Sequence, residues 1–438
     1  MAALTVDGDL RVPGDKSISH RALMLAALAT GESRLRGVLQ SADVQSTAGV
    51  LRALGAVVPP LDAAIRVGGG GLRAFRASSA PLDCGNSGTT TRLMAGVCAG
   101  YAFESVFVGD ASLSRRPMRR IARPLEAMGA RVALTGDGLP MTVRGGALRS
   151  IDWVNEKSSA QVKSAILFAA LVGGVEATVR EPDPSRDHSE RMLRAAGVPV
   201  SAMGDAVRII PADTLRPLDI EIPGDPSSAA FFAALAVLAG RGALRLRGIG
   251  LNPTRTGFYA ALRRMGASVH FEDEHDQGGE PVGTIVASAS AGALRATTAG
   301  GAEIPSMIDE LPLLACVATR AEGTTEIRGA AELRVKESDR IATVAANLRT
   351  LGADAEELPD GLRVTGSDKP LRGPVRTHGD HRLAMAFGIL GALPGNAITV
   401  DDPGCAIVSF PGFWALLDGI TRHTRRGEGS HGNPPRSA

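Results

Sequence analysis

Six times along this chain a polar segment bearing glycine or serine runs into a short helix of small apolar residues that ends near a glycine. The six stretches are 14–30, 85–99, 158–172, 224–239, 309–320 and 379–393. Their starts recur at about 70 residues, with one longer step before Asp309, and a fixed period of that length calls for a repeat architecture. After each helix comes a strand-like stretch, at 33–38, 105–108, 177–179, 243–247, 324–328 and 397–400. In five units a second helix then closes on a hydrophobic, glycine, Ala or Val signature: Leu54-Gly55-Ala56, Met128-Gly129-Ala130, Ala196-Gly197-Val198, Met265-Gly266-Ala267 and Leu351-Gly352-Ala353. Glycine just past the last helical residue supplies the left-handed cap. Turn pairs such as Asp137-Gly138 and Asp360-Gly361 then introduce alternating strands. Each unit reads β-α-β-α-β-β in some circular order, and the sixth ends instead in 413–420.

Three units per half divide the 438 residues near Pro223-Gly224. The expected lobes are 14–224, and 1–13 plus 225–425, with each half large enough for its own core. The first strand, 4–12, is expected to pair with the C-terminal half, so that two adjacent crossings form a hinge. The last residues, rich in Arg, Gly, Ser and Pro from Thr421 onward, read as disordered, with 426–438 lying beyond the last lobe.

Composition excludes several classes. No run approaches the roughly 20 apolar residues of a membrane span, and the N-terminus has no signal pattern. A net charge of +2 lacks the basic face of a nucleic-acid binder, and 3% aromatics leave few stacking platforms. Four scattered cysteines have no metal spacing and suit a reduced, cytoplasmic setting. His378 and His381 stand three apart with no further Cys/His cluster near them, so no metal is expected.

Charged and amide side chains crowd the helix starts rather than the helix bodies. A helix start offers free N–H groups and partial positive charge, so six starts aimed at one cleft would receive multiply charged anions. Only five basic residues are lysine (16, 157, 163, 336, 369) and 43 are arginine. Lysine surviving against that bias suggests places where a compact charge with a shiftable pKa matters, Lys16 and Lys336 foremost.

Five segments could carry chemistry. Pro13 to Arg21 puts Lys16 and Ser17 at a helix start with Arg21 one turn inside, either facing one anion or as a capped helix with a surface lysine. Gly85 to Arg92 is a small-residue turn in which Gly88 lets backbone approach an anion, or simply caps a helix. Arg115 to Arg120 holds four arginines, a solvated face or a source of one bidentate guanidinium. Ser158 to Gln161 reads first as a plain N-cap, with Ser159 and Gln161 as polar candidates. Arg334 to Arg340 reads as helical, with Lys336 and Arg340 on one face and Glu337 beside them. That arrangement is a proton-transferring carboxylate between cations, or a surface ion network. Asp309 and Asp380, ahead of Arg382, read as helix caps. No Gly-x-Ser-x-Gly or His-paired cysteine stands out.

The strings PGDKSISHRALM, GNSGTTTR, SAQVKSA, RVKESDR and GDHRLAM occur in the order and approximate spacing of 5-enolpyruvylshikimate-3-phosphate synthases, and from Pro13 to Phe413 the chain resembles that family. The resemblance implies a two-domain inside-out α/β barrel of six β-α-β-α-β-β repeats. It implies transfer of the enolpyruvyl group of phosphoenolpyruvate to the 5-hydroxyl of shikimate 3-phosphate, without metal or organic cofactor, by a cytoplasmic monomer. Carried over residue by residue, Lys16, Ser17, Arg21, Ser159, Gln161, Asp309 and Lys336 would hold shikimate 3-phosphate. Lys16, Gly88, Arg116, Gln161, Arg340 and Arg382 would hold phosphoenolpyruvate. Asp309 would be the base on the hydroxyl, Glu337 the acid on the enol methylene, and Lys16 an aid to the departing phosphate.

Two departures qualify the match. Val408 stands where family members often carry a lysine, and Ala160 where some have a second serine, with Arg186 a possible substitute at the shikimate phosphate. Gly88, lacking a methyl, leaves room that the inhibitor glyphosate is expected to use. Two rivals remain at this stage. UDP-N-acetylglucosamine enolpyruvyl transferases share the fold but usually carry a loop cysteine, absent from 109–120 here. The other is a catalytically silent anion-binding relative.

Overall fold

The structure is a computed structural model and describes residues 4–427. Six lead helices, one per repeat, run through its interior: α1 (Lys16–Leu28), α2 (Gly88–Ala99), α3 (Ala160–Gly173), α4 (Pro226–Leu238), α5 (Leu311–Ala318) and α6 (His381–Gly391). Four begin at a side-chain cap: Asp15 accepts from the N–H of Ile18, Ser87 from Thr90, Asp225 from Ser227 and Asp380 from Arg382. Such caps satisfy N–H groups that a helix start otherwise leaves open. The bodies are apolar all round; in α4 every residue from Pro226 to Val237 is buried. A helix of that kind belongs inside, with sheets around it.

The second helices, such as Arg119–Ala127 and His188–Ala195, bury one face only. Close approach between interior helices needs small residues: a Cβ on Gly96 of α2 would lie 2.2 Å from the carbonyl oxygen of Ala165 in α3. This is an inside-out α/β barrel, helices within and strands without.

The four-stranded sheets repeat one pattern. The strand before a lead helix pairs in parallel with the strand after it, which then pairs antiparallel with a hairpin, as in the four strands Leu82–Asp83, Glu104–Val108, Gly138–Arg144 and Arg131–Thr135. Two strands exchange places. Gly8–Leu10, ahead of α1, pairs with Ala243–Gly250, which follows α4. Asp219–Glu221, ahead of α4, pairs with Thr30–Arg36, which follows α1. The two connections lie side by side, Asp15 N–H donating to Pro223 O at 2.8 Å and Asp225 N–H to Pro13 O at 2.9 Å. Gly14 is required there, because a Cβ would sit 1.9 Å from the carbonyl oxygen of Gly37. One hydrophobic core gathers residues between Ile18 and Ile222; a second gathers Leu4, Val6 and residues from Ala229 to Leu417.

Two sequence expectations need correction. The C-terminal residues do not leave the fold at Thr421, since the last helix, Phe413–Gly427, carries 421–427, including 426 and 427. Extending a formed helix costs little once Phe413 and Leu417 anchor its start in the core. The rest of the expected tail, 428–438, lies outside the described residues. The segment Arg334 to Arg340 is also not one helix: a 3-10 turn, Ala331–Val335, stops before Lys336, and the next helix begins at Arg340. Asp339 explains the break, because its carboxylate accepts from the N–H of Ala342 at 3.0 Å and restarts the helix a turn later.

Candidate active site

A cavity of about 300 Å³ opens between the starts of all six lead helices. Lys16, Ser17 and Arg21 come from α1; Gly88, Thr89 and Arg92 from α2; Ser159, Ala160 and Gln161 from α3. Asp225 stands at α4, Asp309 just ahead of α5, and His381 and Arg382 at α6. Arg116, Lys336, Glu337 and Arg340 complete the lining supplied by the motif segments. All twelve residues singled out from the sequence therefore face one space. Eleven basic side chains line it against seven acidic ones, an excess larger than that of the whole chain and suited to anionic ligands.

Two cap readings fail here, for different reasons. Ser159 occupies the N-cap position of α3, yet its side chain makes no capping bond, so the hydroxyl is left facing the cavity. Asp309 is not a cap either: Glu310 holds that position in α5. The Asp309 carboxylate instead accepts from Arg186 at 2.6 Å and lies 3.4 Å from Arg340 and 3.7 Å from Lys336. Lys336 and Arg340 thus meet at one carboxylate rather than on one helix face. Burial alone would raise Asp309, but Arg186, Lys336, Arg382 and Arg340 outweigh it and hold the carboxyl well below its usual range.

Glu337 has the same balance. Burial pushes it up, while Arg340, Arg116 and Lys16 draw it well below the ordinary value. Its carboxylate meets Arg340 at 2.8 Å and Arg116 at 3.5 Å. Arg340 is fully buried and held from behind by Asp380 at 2.8 and 3.1 Å. Lys336 is lowered chiefly by burial. His381, buried beside Lys16, Arg382 and Arg340, is pushed well below its usual value and stays neutral. Gln161 is fixed at both ends of its amide, accepting from Arg92 at 2.6 Å and donating to Thr89 at 3.0 Å.

Residues from the two cores meet across the cavity. Arg186 reaches Asp309, Arg116 reaches Glu337, and Arg120 donates to Glu332. Arg92, Arg120, Lys157, Asp43 and Glu332 also line the space and were not singled out individually from the sequence. Arg92 was visible as the last residue of GNSGTTTR. Asp43, which meets Lys16 at 2.9 Å, had no motif to mark it. Val408 is not among the lining residues. Lys163 is excluded from the site: it is buried between Glu181 at 2.7 Å and Glu190 at 2.8 Å. Among the described residues no group of three or more His, Cys, Asp or Glu is placed to hold a metal, and no helix is long and apolar enough to cross a membrane.

Helices buried inside six sheet-faced repeats, with their starts gathered at one cationic cleft, define an enolpyruvyl transferase. Known proteins narrow the class. A sequence model of EPSP synthase (3-phosphoshikimate 1-carboxyvinyltransferase) matches residues 2–417, and the chain belongs to that family. A 3-phosphoshikimate 1-carboxyvinyltransferase of Sulfurihydrogenibium sp. (strain YO3AOP1) is 46% identical over 423 residues, covering 95% of this chain and 98% of that one. One from Xanthomonas oryzae pv. oryzae (strain PXO99A) is 47% identical over 417 residues, covering 94% of each. A solved EPSP synthase from Acinetobacter baumannii superposes with a TM-score of 0.84 at 39% identity, covering 96% of this chain and 97% of that one. The enolpyruvyl transferase NikO from Streptomyces tendae, at TM-score 0.76 and 19% identity over 95% and 96% of the chains, shares the fold alone. This chain is accordingly a shikimate-pathway enzyme that moves the enolpyruvyl group of phosphoenolpyruvate to shikimate 3-phosphate. The UDP-N-acetylglucosamine reading is set aside by the same matches.

Proposed function

We propose that the twelve cavity residues divide the two substrates between them. Ser17, Arg21, Ser159 and Lys336 take shikimate 3-phosphate together with Asp309. Gly88, Arg116, Arg340 and Arg382 take phosphoenolpyruvate, and Lys16 and Gln161 touch both. Arg186, 2.6 Å from Asp309, stands where the shikimate phosphate can recruit it in place of a serine at Ala160. The observation that carries this reading is the meeting of Asp309 and Glu337, each ringed by cations, across one guanidinium, that of Arg340.

Chemistry follows from that arrangement. Glu337 gives a proton to the methylene carbon of phosphoenolpyruvate, leaving an oxocarbenium-like carbon that the 5-hydroxyl oxygen attacks. Asp309 accepts the hydroxyl proton. The tetrahedral adduct then loses phosphate beside Lys16, while Glu337 takes back a methyl proton to restore the double bond. Ionised Glu337 must first gain a proton. Negative charge arriving on Arg116 and Arg340 supplies the cause, since it cancels the cations that hold the carboxyl low. Fixed cations meet the charge that develops on the leaving group without reorganising. No step transfers electrons, and the family resemblance supports a cytoplasmic monomer needing no cofactor, with the two lobes closing on their ligands.

Phosphate release from phosphoenolpyruvate tests the whole reading. It should appear with shikimate 3-phosphate and not with UDP-N-acetylglucosamine. Glu337→Gln should lower kcat by about 100- to 10,000-fold with both substrates still bound. Undiminished turnover of that variant would remove Glu337 from the proton steps.

A further inference from the structure

Glu310 is buried, 3% exposed, and absent from the cavity lining although its neighbour Asp309 faces the cavity. Among the described residues neither of its carboxylate oxygens has a hydrogen-bond donor. The one cation within ion-pair reach is Arg382, Nη1 to Oε1 at 3.8 Å. Arg382 lines the cavity, and among the described residues Glu310 is its one ion-pair partner. The contrast with Arg340 is informative. Arg340 is aimed by short, directed bonds from Asp380; Arg382 has a charge behind it at a distance that gives no direction. A carboxylate placed so alters how strongly the guanidinium attracts an anion, not where it points.

We propose that Glu310 is a charge-tuning residue: acting through Arg382, its ionised form loosens, and its protonated form tightens, the hold of the cleft on the carboxylate of phosphoenolpyruvate. The inference rests on Arg382 belonging to the phosphoenolpyruvate end of the site. Four charged groups face Glu310: Arg382 at α6, Asp309 beside it, Arg255 and Arg186. Tyr259 adds a neutral phenol, raised by burial and by Glu310 itself, whose hydroxyl is spent on Pro226 O at 2.6 Å. Burial and ionised Asp309 push the Glu310 carboxyl up against the opposing pull of Arg382, which brings its proton nearer the working range. A buried acid able to change charge beside a substrate cation lets binding, and release of product phosphate, be balanced rather than maximal.

The test uses the full-length enzyme and compares KM for each substrate from about pH 6 to about pH 9 at fixed ionic strength. Glu310→Gln copies the protonated form. Its KM for phosphoenolpyruvate should lie at least about threefold below wild type at the alkaline end, and the gap should narrow toward the acid end. The sign follows from Glu310 gaining its charge as pH rises, and the ratio of the two enzymes cancels the titration of the substrate itself. KM for shikimate 3-phosphate should stay within about twofold throughout. A residue that merely supports the fold would raise both KM values, and that result, or a ratio flat across pH, overturns the proposal. Should the glutamine variant not fold, Glu310→Asp withdraws the charge while keeping it. Its KM for phosphoenolpyruvate should then fall part of the way, and an unchanged or raised value overturns the proposal. Arg382→Gln separates the two layers. A KM for phosphoenolpyruvate left unchanged by that substitution sinks the Arg382 assignment and the inference together, whereas a raised KM beside an inert Glu310→Gln sinks the inference alone.

Discussion

At the scale of single residues, one absent methyl group sets the shape of the cavity at the end proposed for phosphoenolpyruvate. A Cβ at Gly88 would lie 3.0 Å from Nη1 of Arg92 and 3.4 Å from Nη1 of Arg116. Both atoms are the far ends of flexible side chains, so Gly88→Ala folds, and the guanidinium groups give way by a few tenths of an ångström. Overpacking of this kind costs about 1 kcal/mol, which converts to roughly a fivefold rise in KM for phosphoenolpyruvate. KM for shikimate 3-phosphate should move by less than about twofold. Glyphosate, expected to use the same space, should lose at least as much affinity; inhibition constants against phosphoenolpyruvate for the two proteins check this. Equal constants would mean that Gly88 does not border the inhibitor. The residues of this end were legible because each sits in a short string at a helix start. Asp43 was not: its role comes from Lys16, 27 positions away, and such a pairing exists only once the fold has brought the two helices of one repeat together. Arg186, 123 positions from Asp309, came in only through the resemblance.

Helices and turns were legible where capping chemistry is local. Every lead helix starts a few residues inside the stretch read from the sequence; five also end within it, and α3 runs one residue past, to Gly173. Failures occur where two local signals compete. Asp339 caps a new helix inside what reads as one, and Glu310 displaces Asp309 from the cap position of α5. The lysine bias misleads in the same way at α3. Lys163 lies in a motif-like segment, yet its ammonium ties the helix to the loop and helix that follow through Glu181 and Glu190. Burial pulls its pKa down, and those two carboxylates outweigh that and raise it. Its stabilisation is therefore complete below the ordinary lysine range and fades only as pH rises through the higher folded value. Lys163→Met leaves two buried carboxylates without the ammonium between them, a loss of about 3–5 kcal/mol in urea unfolding at neutral pH. A loss below about 1 kcal/mol, the range of exposed pairs, would show that the triplet is not the link between α3 and that loop.

For the molecule as a whole, the two crossing connections decide whether six helix starts can share one cleft. Each connection ends in an aspartate cap, Asp15 for α1 and Asp225 for α4, and both caps are bound by Arg255, at 2.7 and 3.0 Å. Ser227 accepts from the same guanidinium at 2.9 Å. His188, from the first core, meets Glu280, from the second half, at 2.7 Å and approaches Arg255 at 3.3 Å. Nothing in the sequence marks Arg255, which is one of 43 arginines and belongs to no motif; its importance comes from strand exchange, a property of topology. The pull on Asp15 can be signed. Burial would raise its carboxyl, but Arg255, His188 and the N–H of Ile18 overcome that and hold it far below the ordinary range. A depressed folded pKa contributes stability that is complete above the unfolded value of about 3.9 and fades as pH falls below it. Arg255→Gln removes the largest of those pulls and leaves two buried aspartates with a neutral partner, a loss of about 3–5 kcal/mol. Acid unfolding followed by circular dichroism should then begin at a higher pH than in wild type. Because α1 and α4 lose their common anchor, KM should rise for both substrates, unlike the one-sided effect at Gly88. An acid transition at the wild-type pH with both KM values unchanged would mean that the backbone crossing alone holds the cleft together, and that the arginine bridging its two caps is incidental.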